Sequence, residues 1–112
     1  VILWHNPRCS KSRAALALLT GRGVTPTIRN YLDDAPDLDE LRAARAALGL
    51  PVIDMMRPGE PDFRALGLTR DSDDETLLRA MAARPKLIER PVLFSSGRAV
   101  IGRPPENVLS LL

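Results

Sequence analysis

His5 and Cys9 stand four residues apart near the start of this 112-residue chain, and they are its only histidine and its only cysteine. A lone cysteine forms no internal disulfide, and one Cys with one His cannot supply the four ligands of a structural zinc site. Any sulfur chemistry here is therefore that of a single thiol. A lone cysteine is ordinarily a small buried hydrophobe. Around Cys9, however, Pro7, Arg8, Ser10, Lys11 and Ser12 are polar, charged and loop-forming, and a helical pattern starts immediately after them. A cysteine at a helix start meets the positive end of the macrodipole and several unpaired backbone N–H groups, both of which favour thiolate over thiol. With Arg8, Lys11 and Arg13 adding positive potential, the surroundings favour a nucleophile over a packing residue.

Three residues after Cys9 stands Ser12, so the segment reads C-x-x-S and no second thiol in the chain can resolve an oxidised Cys9. A dithiol cycle is excluded, and turnover at Cys9 requires an external thiol. Ser12 lies one helical turn along and is placed either to hydrogen-bond the thiolate or to act as a backbone cap. His5, at the exit of an apolar run, is placed to orient the loop or to tune the cysteine, the loop role being the more ordinary. The same helix start is an anion site, because its free N–H groups receive oxyanions.

A doubly negative oxyanion beside a thiolate needs further positive charge. Arginine outnumbers lysine 14 to 2 in this sequence, an excess that composition bias explains in large part. The Arg-Pro dipeptide, however, occurs at 57-58, 84-85, 90-91 and 103-104, where composition alone predicts about one. Proline keeps the preceding residue out of the α region, which limits where each guanidinium fork points. Arg84 is explained as the end of a helix before Pro85, whereas Arg57, Arg90 and Arg103 fall in loops or at strand ends, where sites assemble. The acidic pairs Asp33-Asp34 and Asp73-Asp74 read as turn and helix-start chemistry rather than as a paired-carboxylate site.

Positioning these residues requires a specific order of elements. Val1 to Trp4 reads as a buried strand, Ser10 to Thr20 as a helix stopped at Gly21-Arg22-Gly23, and Thr27 to Leu32 as a second strand. Asp37-Leu38-Asp39-Glu40 is a capping-box pattern opening a helix that closes at Gly49 and Pro51. Residues 52 to 70 break into short pieces, and a second capping-box pattern at Ser72-Asp73-Asp74-Glu75 opens a helix over 73 to 83. Pro91 to Ser95 and Ala99 to Ile101 form a hairpin around Ser96-Gly97-Arg98, and Pro105 to Leu112 a terminal helix. This order predicts one α/β domain over 1–112, a thioredoxin-like fold with a mixed central sheet flanked by helices and a helical insertion at about 50–85.

Composition narrows the function classes. With 45% hydrophobic and 27% charged residues the chain carries enough apolar side chains for one sizeable core. A net charge of +2, with acidic residues interspersed among the basic ones, argues against a general nucleic-acid binder. No apolar run approaches 18 residues and no secretory signal is visible, so neither a membrane span nor export is expected. A free thiol without a partner fits a reducing cytoplasm.

The run His5-Asn6-Pro7-Arg8-Cys9-Ser10-Lys11-Ser12-Arg13 resembles the H-N-P-x-C-x-x-S-R signature of the glutaredoxin-coupled arsenate reductase family. Pro26-Thr27-Ile28, Met55-Met56-Arg57, Leu66-Gly67-Leu68, Ile88-Glu89-Arg90-Pro91-Val92 and Gly102-Arg103-Pro104 carry the resemblance through the chain in order. It implies that Cys9 attacks arsenate, that Arg57, Arg90 and Arg103 bind the oxyanion and its cysteine adduct, and that His5 and Ser12 support the thiolate. It further implies a cis Pro91, no bound cofactor or metal, glutathione as the reducing co-substrate and glutaredoxin as the partner that releases arsenite. The fold is also similar to that of Spx-type transcription regulators, which bind RNA polymerase and carry C-x-x-C; Ser12 argues against such a dithiol switch. A glutathione-linked redox protein without arsenate activity shares every feature of the cysteine loop and differs only in substrate.

Overall fold

A computed structural model describes residues 1–112. The apolar run at the N-terminus forms β1 (Ile2–Trp4), which is paired on both sides. It runs parallel to β2 (Thr27–Arg29) and antiparallel to β3 (Val92–Ser95), and β3 continues antiparallel into β4 (Arg98–Ile101), giving the order β2-β1-β3-β4. A parallel pair needs a crossover, which α1 (Ser10–Gly21) supplies, whereas β3 and β4 need only a tight turn. Ser96 and Gly97 form that turn with φ of 52° and 77°, the positive pair that matches strand twist in two-residue hairpins.

Strand alternation divides the side chains between the two faces of the sheet. Leu3 and its register partner Leu93 are fully buried with Ala15 and Leu19 of α1 and with Val108 of the terminal 3-10 helix Pro105–Leu111. On the opposite face Trp4 meets Phe94 at a centroid distance of 4.7 Å, and the Arg29 guanidinium lies 5.8 Å from the Trp4 ring centroid. This is the mixed, helix-flanked α/β architecture of the thioredoxin-like fold.

Val1–Asp34 and Arg90–Leu112 together form one compact unit, and Ala35–Glu89 forms a second. In the second, α2 (Leu38–Leu48) packs on α4 (Asp74–Ala83), with α3 (Pro61–Ala65) and the 3-10 turns Val52–Met55 and Pro85–Leu87 completing the layer. The helical stretch expected at about 50–85 lies inside this unit, which starts earlier because α2 packs on α4. Arg42 and Arg45 of α2 pair with Glu75 and Asp74 of α4 at 2.6 and 3.3 Å.

Two helix starts show how local chemistry sets boundaries. The Asp37 carboxylate accepts the Glu40 N–H at 2.8 Å while the Glu40 carboxylate accepts the Asp37 N–H at 3.1 Å, a complete capping box. At α4 the expected box at Ser72 is not formed. Asp73 caps instead, accepting the Thr76 N–H at 2.7 Å, and the Ser72 hydroxyl accepts the Thr69 N–H at 2.9 Å in the preceding turn. The second strand is also shorter than its alternation over 27–32 predicts. It ends at Arg29 because the Asn30 carbonyl accepts the N–H groups of both Asp33 and Asp34, turning the chain and burying Tyr31. The expected terminal helix is a 3-10 helix rather than an α-helix, with Pro105 in its first turn.

Candidate functional site

Cys9 is the N-cap residue of α1, in an extended conformation (φ −94°, ψ 123°), and is 8% exposed. No side-chain hydrogen bond caps the helix, so the sulfur occupies the position where a capping oxygen ordinarily sits. The loop that delivers it is tied down internally. The Cys9 N–H donates to the Asn6 carbonyl at 3.0 Å, the Arg8 N–H donates to the Asn6 side-chain oxygen at 3.0 Å, and the Arg13 guanidinium donates to the Pro7 carbonyl at 3.0 Å.

Beneath the loop, the fully buried Ser12 hydroxyl lies 2.6 Å from His5 Nδ1 and accepts the Asn6 N–H at 3.1 Å. The His5 backbone N–H donates to the Arg29 carbonyl of β2 at 2.9 Å. Burial, followed by the positive charge of Arg13, pushes the His5 pKa below its ordinary value. A neutral imidazole therefore shares one proton with the Ser12 hydroxyl, whichever ring tautomer is present. His5 and Ser12 thus join strand, loop and helix. The Ser12 hydroxyl takes neither of its two expected placements, since it caps no helix N–H and bonds His5 and Asn6 instead, and it is the Ser12 backbone N–H that acts on the sulfur.

Two arginines approach the sulfur from the C-terminal strands. The Arg103 guanidinium donates from Nη2 to Cys9 Sγ at 3.5 Å and from Nε to the Arg90 carbonyl at 2.8 Å. The Arg90 side chain also interacts with the thiolate. Burial pushes the Cys9 thiol up, but the Ser12 N–H, the Arg90 guanidinium and the Lys11 N–H together outweigh it, and the pKa falls below the ordinary thiol value. Arg90-Pro91 and Arg103-Pro104 are both cis peptides, the first expected for Pro91 and the second legible in no sequence feature.

Arg57 lies in the second unit, where a bridge between Met56 and Ile88 positions it. Its N–H donates to the Leu87 carbonyl at 2.8 Å, and its guanidinium stands 3.9 Å from the carboxylates of both Glu60 and Glu89. Arg84 is the exposed C-cap of α4, as its position before Pro85 suggests. Asn6 and Arg13 hold the loop through bonds that the sequence reading did not assign, although an Asn-Pro pair at a strand exit is a recognisable turn signal.

The depressed thiol has a testable pH dependence. In the window between the lowered folded pKa and the ordinary thiol value, the unfolded chain binds the extra proton, so stability rises with pH there. It falls back as pH drops through the folded pKa. Alkylation of Cys9 should titrate with a midpoint below that of a small-molecule thiol, and a midpoint at or above it would contradict the electrostatics described here.

With this geometry in place, comparison with known proteins places the chain. The profile of the ArsC family matches residues 4–111. An arsenate reductase of Neisseria meningitidis is 46% identical over 112 residues, covering 98% of this chain and 96% of that protein. An arsenate reductase of Rhizobium meliloti is 41% identical and covers 100% of this chain and 81% of its own length. The structure of an arsenate reductase from Vibrio cholerae superposes with a TM-score of 0.95 at 45% identity, over 99% of this chain and 96% of that one. A chain that matches along nearly its whole length, and presents its one thiol to arginines at a helix start, is a member of the ArsC family.

Proposed function

We propose that the protein is an arsenate reductase that draws its electrons from glutathione and glutaredoxin. The observation that carries this reading is the Arg103 guanidinium 3.5 Å from a Cys9 sulfur whose pKa is depressed. A thiolate held there attacks an arsenic centre, and the guanidinium groups of Arg103 and Arg90 balance the oxyanion charge while it develops and while the adduct persists. Arg57 is the third oxyanion-binding arginine of this proposal.

The steps balance as follows. The Cys9 sulfur forms an S–As bond and one arsenate oxygen leaves as water. A glutathione thiol displaces a second oxygen, again as water. A glutaredoxin thiolate then takes the glutathionyl sulfur as a mixed disulfide, the S–As electron pair stays on arsenic, and As(V) becomes As(III). Water cleaves the remaining Cys9–As bond, returning the thiol and releasing arsenite. The sole cysteine supports this use of external thiols, since the chain has no second thiol to close a disulfide. Glutathione chemistry of this kind belongs in a reducing cytoplasm, and no helix of the protein is long and apolar enough to cross a membrane.

The test is NADPH consumption in an assay containing glutathione, glutaredoxin and glutathione reductase. Consumption that rises with arsenate is expected. Turnover of glutathione mixed disulfides with no dependence on arsenate would replace the reading with that of a glutathione-linked redox protein, and co-purification with RNA polymerase in place of either activity would favour a regulator.

A further inference from the structure

The geometry points to Gly102 as a positioning residue: having no side chain, it lets the end of β4 close onto Pro91, and this closure holds Arg90 and Arg103 together beside the Cys9 sulfur. The inference rests on the reading of Cys9 as the reacting thiolate and is independent of which oxyanion that thiolate attacks.

Gly102 is buried, and it is absent from the residues with left-handed backbone, so the position does not call for glycine on conformational grounds. Space is the reason. A Cβ at 102 would lie 2.8 Å from Pro91 Cγ, 3.3 Å from Pro91 Cδ and 3.1 Å from Val108 Cγ1. Neither neighbour yields easily. Pro91 Cγ has only the small travel of a ring-pucker change, and Pro91 Cδ, bonded to the backbone nitrogen, yields only if the backbone next to Arg90 moves. Val108 is fully buried against Leu3, Ala15, Leu19 and Leu93 and has no solvent to retreat into.

Two hydrogen bonds depend on this close approach. The Gly102 N–H donates to the Pro91 carbonyl at 2.9 Å, and one residue further on the Arg103 Nε donates to the Arg90 carbonyl at 2.8 Å. Together they clamp residues 90–91 to residues 102–103. The far end of the same Arg103 guanidinium reaches Cys9 Sγ at 3.5 Å. A methyl group wedged against the Pro91 ring lengthens both bonds, and the guanidinium withdraws from the sulfur by a comparable distance. Gly102 thus acts on the thiolate through the arginines and touches no reacting atom itself.

The test compares Gly102→Ala with Val108→Ala in the full-length protein. Val108→Ala opens a cavity in the same core but leaves the Gly102–Pro91 contact and the arginine clamp in place. Both variants should lower Tm by about 5 °C or more, since each disturbs close packing. Only Gly102→Ala should raise the midpoint of the Cys9 thiolate absorbance titration, by about half a pH unit or more, and slow alkylation near neutral pH by about threefold. If Gly102→Ala folds poorly, the double variant Gly102→Ala with Val108→Ala relieves one side of the clash and keeps the Pro91 side, so its midpoint should remain raised. A wild-type midpoint in the folded glycine variants overturns the proposal, as does an equal shift in Val108→Ala. None of these measurements contains arsenate, so a wild-type protein inactive on arsenate would retire the reductase reading while leaving this one standing.

Discussion

Cys9→Ser should abolish arsenate-dependent NADPH consumption, by at least about a thousandfold, while the protein remains folded. The magnitude follows from the chemistry of the attacking atom. The N–H groups and guanidinium charge around position 9 hold a thiol below its ordinary pKa, but a serine hydroxyl ionises so far above neutrality that the same environment leaves it protonated. Without a thiolate at position 9 no S–As adduct forms, so the later thiol steps have nothing to act on. The fold should tolerate the change, because the site is polar and the core cluster of Leu3, Ala15, Leu19, Leu93 and Val108 does not include Cys9. Circular dichroism and Tm close to wild type would locate the loss in the chemistry. Retention of more than a tenth of the activity would sink the assignment of Cys9 as nucleophile.

Arg103→Ala should lower arsenate turnover by about a hundredfold or more, comparable to removal of one preorganised oxyanion donor. This arginine does two things with one planar group, donating from Nε to the Arg90 carbonyl and from Nη2 to Cys9 Sγ. Lysine has a single point of donation, so Arg103→Lys should recover little, which separates fork geometry from charge alone. The thiolate midpoint should rise in both variants. Arg90→Ala should behave similarly, because its guanidinium also favours the thiolate, and Arg57→Ala should weaken arsenate use in the same assay. Arg84→Ala is the control. Its side chain ends α4 at the surface, and a loss equal to that of Arg103→Ala would mean that the Arg-Pro pairs have been sorted wrongly.

The misreadings share a cause. Thr27 to Leu32 alternates apolar and polar residues as a strand does, yet two N–H groups converge on the Asn30 carbonyl and the strand stops at Arg29. Ser72 and Asp73 are both good capping residues, and sequence pattern does not say which one the preceding turn will occupy; the Thr69 N–H takes Ser72 and leaves Asp73 for the helix. In each case competing local hydrogen bonds, invisible to periodicity, decided the boundary. Gly102 was legible only as part of a motif, because the Pro91 ring and the Val108 side chain that crowd a Cβ there are 11 and 6 residues away in sequence.

What the sequence by itself determined were properties carried by residue type and short spacing. One cysteine at a helix start, no second thiol, a strand-loop-helix junction and an excess of Arg-Pro pairs already point to a nucleophile that borrows its reductant and needs oxyanion-binding arginines. Tertiary structure decided which groups meet. It sent the Ser12 hydroxyl to His5 and Asn6 while its backbone N–H serves the sulfur, and it brought Arg103, 94 residues from Cys9 in sequence, within 3.5 Å of Sγ. Spacing of three or four residues is enough to place a side chain on one face of a helix. Guanidinium against thiolate across most of the chain requires β3 and β4 to pair with β1, and that pairing is a property of the folded sheet rather than of any local segment.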